Sequence, residues 1–345
     1  MVEIIDGGLA YGDVLIVPKY NEIASRRDVS MRTKVTKNHY LEIPILAANM
    51  DSICDSKMAI AMGKLGGLGV IHRFLTIDEQ VGEVKKVKKE NLLCAAAVGI
   101  KDYEERASNL ISAGVNILVL DVAHGHSKKV GEVLEWIKVN FPSIDIMVGN
   151  IATSEAARYF ISKGADALKI GIGPGSLCTT RIMTGVGVPQ LTAIINIFEE
   201  TQGKIPLCAD GGIKFPGDIT KAIGAGADSV MIGGLLSGAD ETPGKVIEEG
   251  TKKFKVYRGM ASSKATAKKL DLDGLTEKEI ISIEGEETFV EIKGSTKEII
   301  TRLLGGLASG MTYVGAGTIE EIKGKVNFIK ISSEGYRESI AHGLE

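Results

Sequence analysis

The chain has 345 residues, of which 44% are hydrophobic and 25% charged, and a formal net charge of −3. This is an ordinary globular composition, long enough for one large α/β barrel or for two domains, and it excludes intrinsic disorder, a coiled coil and a polycationic nucleic-acid binder. No apolar run reaches the ~18 residues of a membrane span, and the start of the chain, Met1-Val2-Glu3-Ile4-Ile5-Asp6, has neither the basic nor the apolar region of a signal peptide, so a cytoplasmic protein without a membrane partner is expected. Cys54, Cys94, Cys178 and Cys208 are far apart, with no CxxC pair, and the five histidines form no HExxH pattern, which argues against a zinc site and fits a reducing compartment. Glycine is the outlier, with 42 residues where a usual share is ~7%.

Residues 1–42 precede the first strand signal and are expected to cap the fold. Eight short runs rich in aliphatic residues then follow: 43–50, 67–72, 92–99, 115–123, 145–151, 167–172, 206–212 and 229–235. Most are continuously apolar, as strands buried on both faces of a parallel sheet are. The stretches between them read as amphipathic helices. After Ser127, for example, Val130, Val133, Leu134, Ile137 and Phe141 share one helical face. Gly114, Gly164 and Gly226 sit where helix C-caps precede the next strand. Strict alternation of eight strands with helices predicts an α/β fold, a closed (β/α)8 TIM barrel. A doubly wound open sheet is the alternative, weakened by the lack of a GxGxxG turn after the first strand. Residues 261–294, with eight acidic residues and few apolar anchors before Phe289, read as a mobile flap above the strand ends, or equally as a solvated loop. The segment 295–345 resumes with a helix over Ile299, Ile300, Leu303, Leu304 and Leu307, followed by the Gly-rich stretch 305–317. With no linker in the composition, 1–345 is expected to be one domain.

In such a barrel the chemistry lies at the C-terminal strand ends. The sixth strand runs into Gly171-Ile172-Gly173-Pro174-Gly175-Ser176-Leu177-Cys178-Thr179-Thr180-Arg181. Its glycines let backbone approach a ligand: N–H groups and the Ser176 hydroxyl suit a phosphate, and the carbonyls suit a monovalent cation equally well. Cys178 on that loop is a candidate nucleophile, whereas the other three cysteines read as core. Asp210-Gly211-Gly212 ends the seventh strand and Gly233-Gly234 the eighth, a pairing that suits a phosphate cradle, with Asp210 placed for ribose hydroxyls. Asp121 ends the fourth strand and Asn150 the fifth. His124 and His126 read as loop histidines rather than a catalytic pair. Together these residues point to a phosphosugar or nucleotide and a cysteine adduct; no redox step follows from them.

The segment GIGPGSLCTTRIMTGVGVPQ (171–190) resembles the cysteine loop of the IMP dehydrogenase/GMP reductase family. AANMD (47–51), the Asp210-Gly211-Gly212 turn and Tyr257-Arg258-Gly259-Met260 resemble further family motifs in the expected order. The resemblance covers essentially the whole chain. It implies a TIM barrel, a homotetramer, a purine nucleotide monophosphate (GMP or IMP) and a nicotinamide cofactor. It further implies Cys178 as the nucleophile at C2 of the purine, with Thr180 and Glu284 as a proton relay. Ser176, Gly212, Gly233, Gly234 and Tyr257, with Gly259 and Met260 of the same motif, would bind the 5′-phosphate and base, and Asp210 the ribose. Asp121, Ala123, Asn150 and Gly171 would face the cofactor. Carbonyls of Gly173, Gly175 and Cys178 would hold K+, completed by Glu338 and Ser339 of a neighbouring subunit.

Within the family, the dehydrogenases resemble one another in an Arg-Tyr pair on the flap that activates water. Residues 261–294 contain neither Arg nor Tyr. Asn49, Thr184, Gly233-Gly234 and the flap end at 283–295 also resemble reductases, and no CBS pair interrupts 84–93. DVAHGHS (121–127), GVGVPQ (185–190) and the tail 334–339 resemble bacterial dehydrogenases instead. The expectation is a GMP reductase using NADPH, with an NAD-dependent IMP dehydrogenase as the alternative. A catalytically silent nucleotide-binding regulator and a flavin-dependent barrel are readings from other classes.

Overall fold

The computed structural model describes residues 7–272 and 283–341, apart from the side chains of 269–271. Eight parallel strands close into a barrel: β1 (Ile45–Ala47), β2 (Leu68–Ile71), β3 (Ala95–Val98), β4 (Ile117–Asp121), β5 (Asp145–Ile151), β6 (Ala167–Ile170), β7 (Leu207–Asp210) and β8 (Ser229–Ile232). The ring closes where Val230 of β8 faces Ile45 of β1. The open-sheet alternative is thereby excluded. All eight expected runs contain strands, most of them shorter than their apolar stretch at one or both ends.

The strands are apolar throughout because they are buried on both sides. Leu46, Val70, Ala97, Ile117, Val119, Met147 and Met231 fill the barrel interior, while Leu118, Leu120, Ile146, Val148 and Ile170 pack outward against the helices. Helix Lys128–Asn140 starts where expected, with the Ser127 hydroxyl accepting from Val130 N–H, and it buries Val130, Val133, Leu134 and Ile137. Gly114, Gly164 and Gly226 follow their helices at φ +93°, +89° and +119°, the left-handed C-cap role. Helix Ile77–Lys89 leads on to β3 with no inserted domain.

In the segment before β1, Tyr11 reaches Gly212 at the C-terminal end of the barrel, whereas another part lies against the N-terminal end. A short hairpin, Thr33–Lys34 with Tyr40–Leu41, is held there by Asp145 at the start of β5. That carboxylate accepts from Thr36 Oγ1 (2.6 Å), from Asn38 N–H (3.2 Å) and Nδ2 (2.7 Å), and pairs with His39 Nδ1 (3.0 Å). Val14–Ile16 pairs antiparallel with Phe328–Lys330, which ties the segment before β1 to the segment after the last long helix.

Two segments depart from expectation. The Gly-rich stretch 305–317 is largely not a loop, since helix Thr296–Tyr313 runs through it. A Cβ on Gly306 would lie 2.2 Å from Pro216 Cβ and one on Gly310 2.5 Å from Thr220, so these glycines serve close helix packing, not a ligand. The flap, in turn, springs from an antiparallel ribbon that the sequence did not suggest: Lys252–Arg258 pairs with Ile247–Glu249 and with Glu287–Glu291. Helix Ser263–Leu272 follows, and 273–282 lie outside the described residues.

Candidate active site

Gly171, just past β6, has φ +146°, and a Cβ there would lie 2.1 Å from the Asp210 carbonyl oxygen, so only glycine lets the ends of β6 and β7 converge. The loop that follows wraps around Arg181, whose Nε donates to Ile172 O (2.9 Å) and whose Nη2 donates to Val188 O (2.6 Å). Gly173, at φ +78°, leaves room for that side chain. Arg181 is thus a structural pin that sequence reasoning quoted only as part of a motif. The Gly175 carbonyl accepts from Cys178 N–H at 3.1 Å, so it keeps one lone pair for another partner.

Cys178 is half-buried, and its thiol donates to Thr180 Oγ1 at 3.1 Å. Its neighbours are stitched to the returning end of the flap: Thr179 N–H donates to Glu284 O (3.0 Å), Glu286 N–H donates to Leu177 O (2.9 Å), and Cys178 bridges Gly285. This holds the backbone of Glu284 against Thr179 across more than a hundred residues of chain. The other three thiols are buried, and burial pushes those of Cys94 and Cys208 up to about 12 and that of Cys54 up as well, which suits their place in the core.

The phosphate candidates converge. Ser176 Oγ and Tyr257 Oη are 3.1 Å apart. A Cβ on Gly234 would stand 2.9 Å from Ser176 Oγ, and one on Gly233 would stand 3.3 Å from Tyr257 Oη and 3.0 Å from Met50 Sδ. Gly212, at φ +83°, lies over the ring of Tyr11. Gly259 is buried and donates to Glu286 O (2.9 Å), with half-buried Met260 next to it. Arg258 of the same motif turns the other way, into a bidentate pair with buried Asp51.

Asp121, Asn150 and Asp210 meet around a residue that sequence reasoning missed. Lys169, in the middle of β6, lies buried between Asp121 Oδ1 (2.8 Å) and Asp210 Oδ2 (2.9 Å), and also contacts Asn150 Oδ1. Asn150 Nδ2 donates to Asp210 Oδ2 (2.9 Å) and to Gly171 O (2.6 Å). Burial by itself would lower the Lys169 ammonium, but the two carboxylates outweigh it and raise it above the ordinary lysine range. Burial would likewise raise Asp121, yet Lys169 and then Arg73 hold it below the usual carboxylate range. Arg73, 3.9 Å from Asp121, is a second basic group at this site absent from the expected set. The available signal was a lysine inside an otherwise apolar strand, since an unpaired charge is not left in a barrel core.

The remaining candidates lie further out. Ala123 and His124 are exposed on the loop after β4, and His126 packs against the Tyr159 ring (5.3 Å), in keeping with loop histidines. His72 is buried and driven by that burial down to about 4, so it is neutral at neutral pH. Glu338 and Ser339 stand exposed at the end of helix Ser333–Glu338, and among the described residues no hydrogen bond or ion pair links them to the cysteine loop.

Known proteins are similar to this chain over nearly its whole length. Residues 8–342 match the IMP dehydrogenase / GMP reductase domain. The chain is 41% identical to the inosine-5′-monophosphate dehydrogenase of Borreliella burgdorferi, with 97% of each chain covered, and 31% identical to the GMP reductase of Leishmania major, with 98% of this chain and 97% of the relative covered. Among solved structures it superposes on a cysteine-to-alanine variant of the GMP reductase of Trypanosoma brucei in complex with guanosine 5′-monophosphate, with a TM-score of 0.93, 31% identity and 99% of both chains covered. A half-buried thiol on a glycine loop beside a Ser–Tyr–Gly cradle, at the mouth of a closed barrel, agrees with that match over nearly the whole length, and the chain belongs to the IMP dehydrogenase / GMP reductase family of oxidoreductases.

Proposed function

We propose that the chain is a GMP reductase, converting GMP to IMP and ammonia with a reduced nicotinamide nucleotide, NADPH. The observation that carries this reading is the flap: 261–294 contain no Arg and no Tyr to activate water, while the backbone of its returning end docks on Thr179 and Leu177, on either side of Cys178. A nucleotide whose phosphate sits against Ser176, Gly212, Gly233, Gly234 and Tyr257, and whose ribose meets Asp210, presents its base to Cys178. The thiol proton leaves toward Thr180, sulfur adds to C2, and the 2-amino group takes up a proton and departs as ammonia. The covalent adduct splits a difficult substitution into two easier steps. NADPH, when bound, supplies the hydride that replaces sulfur at C2, and the thiol is restored. With two protons taken up, the products are IMP, ammonium and NADP+.

Asp121, Ala123, Asn150 and Gly171 form the face offered to the nicotinamide; exposed Ala123 leaves that face open, and Lys169 holds its carboxylate and amide in place. A K+ ion held by carbonyls of Gly173, Gly175 and Cys178 would stiffen the cysteine loop, and the lone pair that the Gly175 carbonyl keeps after accepting from Cys178 N–H supports it. Exposed Ile182, Met183 and Val186 beside that loop support a homotetramer, in which Glu338 and Ser339 of a neighbour reach the cation. Four free cysteines suit the cytoplasm.

The second reading is NAD-dependent IMP dehydrogenase, favoured by the 41% identity to the Borreliella enzyme and 39% to that of Cryptosporidium parvum. Purified protein assayed both ways decides between them. GMP with NADPH is expected to consume NADPH and release ammonia; turnover of IMP with NAD to XMP, without the former, reverses the assignment.

A further inference from the structure

A cavity opens at the opposite end of the barrel from Cys178. It measures about 540 Å³, within the range of nucleotide-sized sites. The N-terminal hairpin, the turn before β7 and the segment 318–323 wall it, and Arg32, Lys34, Lys37, Lys204 and Lys323 line it. The carboxylates in its lining, Asp228 and Glu320, are both engaged by Lys323, at 2.7 and 2.8 Å. Lys34 and Lys204 pair with no carboxylate among the described residues; Arg32 reaches Glu42 at 3.5 Å, and Lys37, whose ammonium donates to Ala165 O at 2.7 Å, reaches Asp166 at 3.8 Å. Arg32 and Lys34 crowd the same Tyr40 ring, at 4.3 and 5.7 Å from its centroid.

Cations gathered around one hollow repel each other unless an anion joins them. The chain as a whole is acidic, with a net charge of −3, so this excess is local rather than general. We propose that this cavity binds an oligophosphate, the di- or triphosphate chain of a nucleotide or the free inorganic ion, at a site separate from the active centre. Its place gives binding a route to the chemistry. Pro206 directly precedes β7 and Asp228 directly precedes β8, and Asp228 ties the two by accepting from Leu207 N–H at 2.8 Å. Roughly 13 Å along those same four-residue strands lie Asp210–Gly212 and Gly233-Gly234.

The test is calorimetric titration of the full-length protein with inorganic triphosphate, ATP and GTP, with and without saturating IMP to fill the active-site cradle. Saturable binding is expected that persists with IMP present and weakens as salt rises. Lys34→Glu and Lys204→Glu, both at the surface, are each expected to weaken it about tenfold, the scale of one lost charge-assisted contact, without altering IMP binding. Equal affinity for all three ligands assigns recognition to the phosphate chain, and preference for one nucleotide adds its base; either result supports the site. No saturable binding, or binding unchanged in the Lys34→Glu/Lys204→Glu double variant, overturns it. Failure of IMP to bind would count against the active-site assignment and leave these arms readable.

Discussion

The Cys178 thiol donates to Thr180 Oγ1, and Thr179 N–H donates to the Glu284 carbonyl, so the cysteine is held by its own loop and by the segment docked on it. Cys178→Ser is expected to lower GMP turnover by about 10³-fold or more while GMP affinity, measured by calorimetry, changes little; turnover within tenfold of wild type would remove Cys178 from the chemistry. Lys169 is the most consequential buried charge. Lys169→Met leaves the partly buried Asp121 and Asp210 without their shared cation, and a loss of about 2–3 kcal/mol of stability is expected from breaking such a set. Asp121 is held low in the fold, so its contribution is complete above the unfolded value of about 3.9 and is lost as pH falls through the lower folded value. Without Lys169 the carboxyl rises, and the acid limb of kcat/KM should move toward neutral pH, with Lys169→Arg restoring much of it. A pH profile identical to wild type in Lys169→Met would contradict this.

At the scale of elements, the N-terminal hairpin hangs on one carboxylate. Burial would raise Asp145, but bonds from His39, Thr36 and Asn38 hold it far below the usual range. The depressed folded value makes its contribution present above about pH 4 and lost as pH falls further. Asp145→Asn is therefore expected to cost about 2–3 kcal/mol at pH 7, with a smaller difference from wild type near pH 3, read from urea midpoints at the two pH values. The flap ribbon shows why one element escaped the sequence. In Lys252–Arg258 the inward positions are Lys255 and Tyr257, not Phe254 and Val256. Lys255 is buried because its ammonium donates to the carbonyls of Ala239, Asp240 and Thr242. A strand whose buried face contains a lysine has no apolar alternation to recognise.

For the molecule as a whole, the strap Val14–Ile16 with Phe328–Lys330 joins segments from the two sides of the barrel sequence, next to Tyr11, which lies beneath Gly212. Val326 packs onto Gly224 in the same region. Ending the chain after Lys325 is expected to reduce stability by about 3 kcal/mol, the burial of two apolar side chains, and to weaken IMP binding by loosening Tyr11. An unchanged denaturation midpoint together with unchanged affinity would show that the strap neither braces the barrel nor supports the cradle.

The eight strands, their alternation with helices and the cysteine loop were legible from the linear chain because each depends on local chemistry. Aliphatic runs mark strands buried on both faces, Gly114, Gly164 and Gly226 mark C-caps, and a thiol among glycines marks a reactive turn. Asp121, Asn150 and Asp210 could be placed at strand ends for the same reason. Their common partner could not, since Lys169 acquires meaning only when ring closure brings β4, β5 and β7 around it. The glycines of 305–317 were likewise visible as an excess, but whether they met a ligand or a helix depended on Pro216 and Thr220, some ninety residues away. Periodicity and turn chemistry are short-range and survive in the sequence. Charge pairing in a barrel core, the docking of the flap end on the cysteine loop and the basic hollow at the far end all depend on which distant residues the closed ring makes neighbours.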